Sequence, residues 1–146
     1  MATTDKGSVD ALNSFLRGEI SAVETYRQAI GVITDDRIKG LLEDCQHDHE
    51  RRVESLKERI EKLGGTPAEG SGPWGLFAKL VQAGADTIGE QAAIQALEQG
   101  EDHGLADYQR DLEQVHGEAR RLVRMELLPS QKRTHAQLSK LKRTLH

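Results

Sequence analysis

The chain has little of what many other folds depend on: one cysteine, three prolines and 3% aromatic residues among 146 positions. A single cysteine excludes an internal disulfide, so we expect a cytoplasmic protein. No apolar run approaches the ~18 residues of a membrane span, and the first ten residues lack the apolar segment of a secretion signal. The net charge of −4 argues against nucleic acid as the main partner.

What the chain does have is charge, at 30% of its residues, and a helical period. The length suits one domain covering residues 1–146. Apolar residues spaced alternately three and four apart predict helices from position 8 or 10 to about 33, from about 37 to 63 and from about 86 to 116. A fourth helix should follow Gly117, with Pro129 kinking or splitting it. Its predicted inward residues are Leu122, Met125, Leu128, His135, Leu138, Leu141 and Leu145.

Residues 64–75, GGTPAEGSGPWG, form a linker rich in glycine and proline. Fully extended, it reaches about 40 Å, close to the length of the second predicted helix. A connection of that reach can return along the whole bundle, as in bundles with one long crossover. The residues that follow predict a short helix over one end of the core: Trp74, Leu76, Phe77, Leu80 and Val81.

Acids interrupt the apolar stripe of the third predicted helix. Glu98 and Glu101 share a face with Ile94, Leu105 and Tyr108. Carboxylates are almost never fully buried unless something pairs with them or binds them. The stripe therefore predicts a polar site in the core.

The other helices place matching side chains at the same depth. If the first turn is centred on Asp35, Glu19 lies sixteen residues before it and His49 fourteen after it. If the last turn is centred on Gly117, Glu98 and Glu101 lie nineteen and sixteen residues before it and His135 eighteen after it. Carboxylates and imidazoles that converge in this way are typical ligands of iron, manganese or zinc. Tyr26, which also faces inward, could donate a hydrogen bond to a ligand.

Two resemblances follow from these residues. The run EISAVETY at 19–26 is similar to the first-helix pattern of rubrerythrins in the ferritin-like superfamily, and Glu98-x-x-Glu101 resembles their paired third-helix acids. A second resemblance is closer and rests on four stretches: LNSFLRGEISAVETY, the run from His49 through LGGTP, ALEQGEDHGLADY and ELLPSQKRTH. They resemble an uncharacterised bacterial four-helix-bundle family, domain of unknown function 2383. The resemblance implies an all-α, ferritin-like four-helix bundle with a long crossover between the second and third helices.

The chain departs from the di-iron pattern, which carries Glu-x-x-His on two helices. Gln46 stands three residues before His49, and Lys132 three before His135, so neither position supplies an acid. Gln46 could orient His49 from beside the site. Lys132 could instead neutralise the acids, since three carboxylates, one ammonium and two imidazolium groups have no net charge.

Two functions are therefore open. In one, a single ion, iron or alternatively manganese or zinc, binds Glu19, His49, Glu98, Glu101 and His135 and handles iron, oxygen or peroxide. In the other, the chain is a metal-free structural or interaction bundle with an internally paired polar layer, and association with stress is one option for it. Catalytic residues are not indicated for either. A homodimer is expected, with Trp74, Phe77 and Leu80 as candidate contacts, and no membrane or nucleic acid is expected as a partner.

Overall fold

A computed structural model describes residues 5–70 and 89–144 as a bundle of four helical rods. The first two rods are single helices, the third ends in a 3-10 helical turn (Leu112–Gln114), and the fourth contains a π-helical turn. In chain order they are α1 (Lys6–Ile30), α2 (Asp36–Lys62), α3 (Glu90–Asp111) and a last rod made of α4 (Gly117–Leu122), the π-helical turn (Val123–Leu127) and α5 (Leu128–Thr144). The described residues contain no strand, so the predicted all-α bundle is confirmed.

Acidic caps fix where the first two helices begin. The Asp5 carboxylate accepts a hydrogen bond from the Ser8 amide at 3.1 Å. The Asp35 carboxylate accepts from the amides of Arg37 and Ile38 at 2.9 and 3.1 Å. Each aspartate thus satisfies amides that have no partner inside the first helical turn. The α1 helix ends three residues earlier than predicted, because residues 31–35 form the turn.

The contacts between helices give their directions. Glu19 meets His49 and Tyr26 meets Glu101, while Tyr108 returns to Glu19. These pairs make α1 antiparallel to both α2 and α3, so α2 and α3 run parallel. The end of α2 and the start of α3 therefore lie at opposite ends of the bundle, which confirms the predicted long crossover between these helices.

Both ends of this crossover are held by side chains. The Glu90 carboxylate accepts from the Thr34 amide at 2.6 Å, which places the start of α3 beside the start of α2. At the other end, Asn13 donates to the Thr66 carbonyl at 3.0 Å and accepts from the Ala68 amide at 2.7 Å. The predicted short helix around Trp74, Phe77 and Leu80 and the last part of the linker lie outside the described residues.

The apolar core is divided into two clusters. One cluster includes Leu12, Leu16, Leu56, Ile60, Tyr108, Val123 and Leu127. The other includes Tyr26, Ala29, Leu42, Cys45, Ile94, Leu97 and Leu138. A layer of buried polar side chains lies between them, at the middle of the rods. No helix in the described ranges is long and apolar enough to cross a membrane.

The π-helical turn explains why the inward face of the last rod differs from the predicted one. Pro129 has no amide hydrogen to donate, and the wider turn just before it accommodates this loss. The residues that face the core are four apart before the proline: Ala119, Val123 and Leu127, followed by Gln131. The prediction that Met125 faces inward is wrong, because its side chain is 67% exposed.

Candidate functional site: a buried polar layer

The polar layer is built from all four rods. Glu19 comes from α1, His49 and Arg52 from α2, and Glu101 from α3, with Ser130, Gln131 and Thr134 from α5. All seven side chains are buried, and Tyr26 and Tyr108 close the layer above and below. The helix period explains the placement, because residues three or four apart lie on one face.

Arg52 lies at the centre of this layer. Its Nε donates to Glu19 Oε2 at 2.7 Å, and its Nη2 donates to Gln131 Oε1 at 2.9 Å. Its Nη1 donates to the Ser130 hydroxyl. One guanidinium therefore joins α2 to both α1 and α5. A planar group with five donors suits this task, because it can contact several acceptors in different directions at once.

His49 bridges the two acids. Its Nδ1 lies 2.5 Å from Glu19 Oε1, and its Nε2 lies 2.7 Å from Glu101 Oε2. Arg52 Nη2 lies 2.7 Å from Nδ1 and 3.1 Å from Nε2. One nitrogen this close to both ring nitrogens sits over the ring rather than along either N–H direction. Both ring nitrogens are therefore directed at carboxylates, as in an imidazolium that donates twice.

Glu101 is fully surrounded by donors. Its Oε2 accepts from Tyr26 at 2.5 Å as well as contacting His49. Its Oε1 accepts from Gln131 Nε2 at 2.9 Å and from the Thr134 hydroxyl at 2.7 Å. Such a carboxylate has no free direction in which to accept a further ligand.

The charged groups of the layer shift one another's pKa values. Burial alone would raise the pKa of the Glu19 carboxyl, but Arg52 and His49 outweigh it and lower that pKa to about 2. Burial opposes ionisation of Glu101, but His49 and the hydrogen bonds that Glu101 accepts favour ionisation. The pKa of Glu101 is therefore also lowered. The pKa of His49 is raised despite burial, chiefly by Glu101. Two carboxylates, one guanidinium and one imidazolium leave the layer without net charge.

A small cavity adjoins the layer between α1 and α3. Its volume is about 30 Å³, and Glu19, His49 and Gln131 form part of its wall. That volume is enough for a water molecule. Three glycines also contribute to its wall: Gly18, Gly100 and Gly104.

The structure brings together Glu19, His49 and Glu101 of the five predicted ligands. Glu98 lies outside this layer, and its carboxylate accepts from Lys142 Nζ at 3.1 Å. Glu98 is nevertheless buried, as predicted, whereas His135 is not, because it pairs with the exposed Asp102 and its own side chain is 25% exposed. The π-helical turn moves Gln131 and Thr134 to the inner face and His135 toward the edge.

Of the residues predicted to support the ligands, Tyr26 reaches the layer, through its hydrogen bond with Glu101. Gln46 is half-buried and makes no contact with the layer. Lys132 is exposed, so it does not supply the positive charge predicted for it. Arg52 supplies that charge instead.

Sequence reasoning missed four members of the layer: Arg52, Ser130, Gln131 and Thr134. A signal for Arg52 was available, since Arg52 stands one turn after His49 and so shares its face. No comparable signal marks the residues of α5, because the π-helical turn shifts the face in a way that a regular helix period does not predict.

Comparisons with known proteins agree with this architecture. A family model described as a domain of unknown function, DUF2383, matches residues 8–114. The chain belongs to the DUF2383 family. A structure described as a ferritin-like, diiron-carboxylate protein from Bacillus anthracis str. Ames is similar to it with a TM-score of 0.67 and 22% identity. That alignment covers 99% of this chain and 96% of the other, and at this identity it shows a common fold alone. A search of the curated proteins finds no match.

The ligand pattern of di-iron bundles can be compared with this DUF2383 chain position by position. Such bundles carry one Glu on each of two helices and Glu-x-x-His on each of the other two. In the layer, Glu19 on α1 and Glu101 on α3 are single acids. His49-x-x-Arg52 on α2 and Gln131-x-x-Thr134 on α5 are buried pairs with the spacing of the Glu-x-x-His motif.

As arranged, these residues do not fit a metal centre. Three of the six positions carry a guanidinium, an amide and a hydroxyl group, and the guanidinium brings a positive charge to the centre of the layer. Across residues 5–70 and 89–144, no group of three or more His, Cys, Asp or Glu side chains has an arrangement that could hold a metal ion. The disagreement concerns the site and leaves the ferritin-like fold unaffected.

Proposed function

We propose that this DUF2383 protein is a metal-independent ferritin-like bundle that serves as a structural or interaction module. The observation that carries the proposal is the position of Arg52, whose guanidinium lies at the centre of the polar layer and neutralises Glu19. A metal ion at this position would have to displace a buried cation that already contacts three of the four rods.

The hydrogen bonding of the layer supports the proposal. Within the described part of the chain, Arg120 Nε is the one buried side-chain nitrogen or oxygen atom without a partner, and it lies outside the layer. Every polar atom of Glu19, Arg52 and Glu101 is therefore satisfied by protein groups alone. A fully satisfied buried network fixes the register of the helices around it.

Binding of one metal ion is the second candidate, and one specific observation favours it. His49 is within contact distance of both Glu19 and Glu101, and these three side chains are donors of types that iron, manganese and zinc accept. The similar structure is described as a diiron-carboxylate protein, which hints at iron. This candidate requires Arg52 to leave the layer and the two bonds of His49 to be broken.

Metal analysis of the purified protein separates the two candidates. We expect less than one tenth of an equivalent of iron, manganese or zinc per chain, even after incubation with ferrous ion and air, and an unchanged melting temperature when a chelator is added. The same metal analysis compares two matched variants. Arg52→Ala removes the central cation, and Arg51→Ala removes the charge of its exposed neighbour. Stoichiometric metal in the wild-type protein, lost in Glu101→Ala, would overturn the proposal in favour of the metal site.

A further inference from the structure

Met125 is the one large apolar side chain in the described part of the chain that is mostly exposed. It lies on the π-helical turn. Arg121 lies one turn before it, and Arg124, the preceding residue, lies one turn after Arg121. Neither arginine forms an ion pair with the residues that the structure describes. We call Arg121, Arg124 and Met125 the Met125 knob.

A groove of complementary character lies on another face, between α1 and α2. Its volume is about 270 Å³, and its apolar floor is formed by Ile20, Val23 and Val53. Glutamates dominate its rim, which consists of Glu24, Glu50, Glu54 and Arg27. We call these seven residues the α1–α2 groove.

We propose that the Met125 knob docks in the α1–α2 groove of a second copy of this chain. The methionine supplies a flexible apolar side chain for the apolar floor, and such side chains adapt well to irregular binding surfaces. Arg121 and Arg124 meet the glutamates of the rim. Three other charged residues lie beside the knob: Arg59, Glu118 and Glu126. The two glutamates are opposite in sign to Arg27 on the rim.

Charge favours a second copy over another type of partner. The arginines of the knob need acidic partners, and the rim of the α1–α2 groove supplies glutamates on the same chain. A second copy presents both signs in the required places. If each copy places its knob in the groove of the other, the contact is self-complementary and closes a dimer. If only one of the two knobs is used in each contact, the contact builds longer assemblies.

Light scattering over a range of protein concentrations tests the proposal. Because the paired surfaces are small, we expect weak, salt-sensitive association that becomes visible at high micromolar concentration. The double variants R121E/R124E and E50R/E54R should each raise the dissociation constant by about tenfold or more. The combined variant with all four changes should restore most of the association, because glutamates on the knob then face arginines on the rim.

The matched control is K132E/R133E, which makes the same charge change at exposed positions on α5 outside the knob. It should leave the dissociation constant within about threefold of the wild-type value. A wild-type protein that stays monomeric at every concentration would overturn the proposal. So would equal effects of the control and R121E/R124E, or a combined variant that does not recover. None of these results depends on whether the polar layer binds metal.

Discussion

The Nε atom of Arg52 lies 2.7 Å from Glu19 Oε2, between side chains that are only 2% and 4% exposed. Removing a charged pair from water to this depth costs several kcal/mol per ion. The attraction between the two charges offsets this cost only if they are well aligned and form further hydrogen bonds. Here Tyr108 donates to the same carboxylate oxygen at 2.7 Å, and Gln131 accepts from the guanidinium. Each charge therefore depends on the others remaining in place.

Arg52→Met should destabilise the fold strongly. The methionine fills much of the space but leaves Glu19 buried without its cation, and breaking a buried pair from one side costs about 3–5 kcal/mol. Urea unfolding followed by circular dichroism measures the loss. Arg51→Met is the control, because Arg51 is 73% exposed and its removal should change the free energy of unfolding by less than about 0.5 kcal/mol.

A second variant tests whether the loss comes from the unpaired charge. Arg52→Met combined with Glu19→Gln should be more stable than Arg52→Met alone, because the amide carries no charge that needs a partner. Equal stability of the single and double variants would mean that lost packing, rather than charge, is the cause.

The pH dependence of stability should have two limbs. Glu19 and Glu101 have pKa values that are lower in the folded state, so their contribution is present above the unfolded value of about 4.3 and is lost as the pH falls, for Glu19 toward about 2. His49 has a raised pKa, so its contribution is complete below about 6.5 and is lost as the pH rises through the raised value. We expect maximal stability between these limits.

Urea midpoints measured from acid to alkaline pH check this profile. His49→Gln should flatten the alkaline limb, whereas His47→Gln, at a position that is 67% exposed, should leave the profile as it is in the wild-type protein. A wild-type midpoint that rises steadily from pH 6 to pH 9 would contradict the imidazolium bridge between Glu19 and Glu101.

The period of apolar residues was sufficient to predict the bundle, its crossover and the depth at which Glu19, His49 and Glu101 meet. The same period was not sufficient to predict which residue supplies the cation at the centre of the layer. Arginine is usually exposed, and this general preference outweighed the one signal for Arg52, its position one turn after the inward-facing His49. The last rod was misjudged for a different reason: the π-helical turn before Pro129 adds a residue to one turn, so Gln131 and Thr134 face the core in place of His135.

Gly104 should be required for the contact between α3 and α5. A Cβ atom at this position would lie 2.9 Å from Gln131 Nε2, which is closer than such atoms approach. Displacement of that amide would break its bonds to the Glu101 carboxylate and carbonyl, both 2.9 Å long. We expect Gly104→Ala to lower the free energy of unfolding by about 1–3 kcal/mol.

Two helical glycines serve as controls for this substitution. A Cβ atom at Gly18 or Gly40 meets nothing within 4 Å, so alanine there should stabilise the helix by up to about 1 kcal/mol. Chemical denaturation of the three variants gives the comparison. If Gly104→Ala were as stabilising as Gly40→Ala, Gln131 would not be held where the structure has it.

Restoring the di-iron ligand pattern should give the bundle a metal site. The four changes His49→Glu, Arg52→His, Gln131→Glu and Thr134→His place Glu-x-x-His on both helices, opposite Glu19 and Glu101. We expect this variant to bind two divalent ions, detected by the visible absorption of cobalt, and to melt at a higher temperature with metal than without. The control Gln46→Glu with Lys132→Glu also adds two carboxylates, but at a half-buried position outside the layer and an exposed one, and it should bind none. If the four-residue variant is helical yet takes up no more metal than the control, the positions of Arg52, Gln131 and Thr134 do not correspond to those of metal ligands.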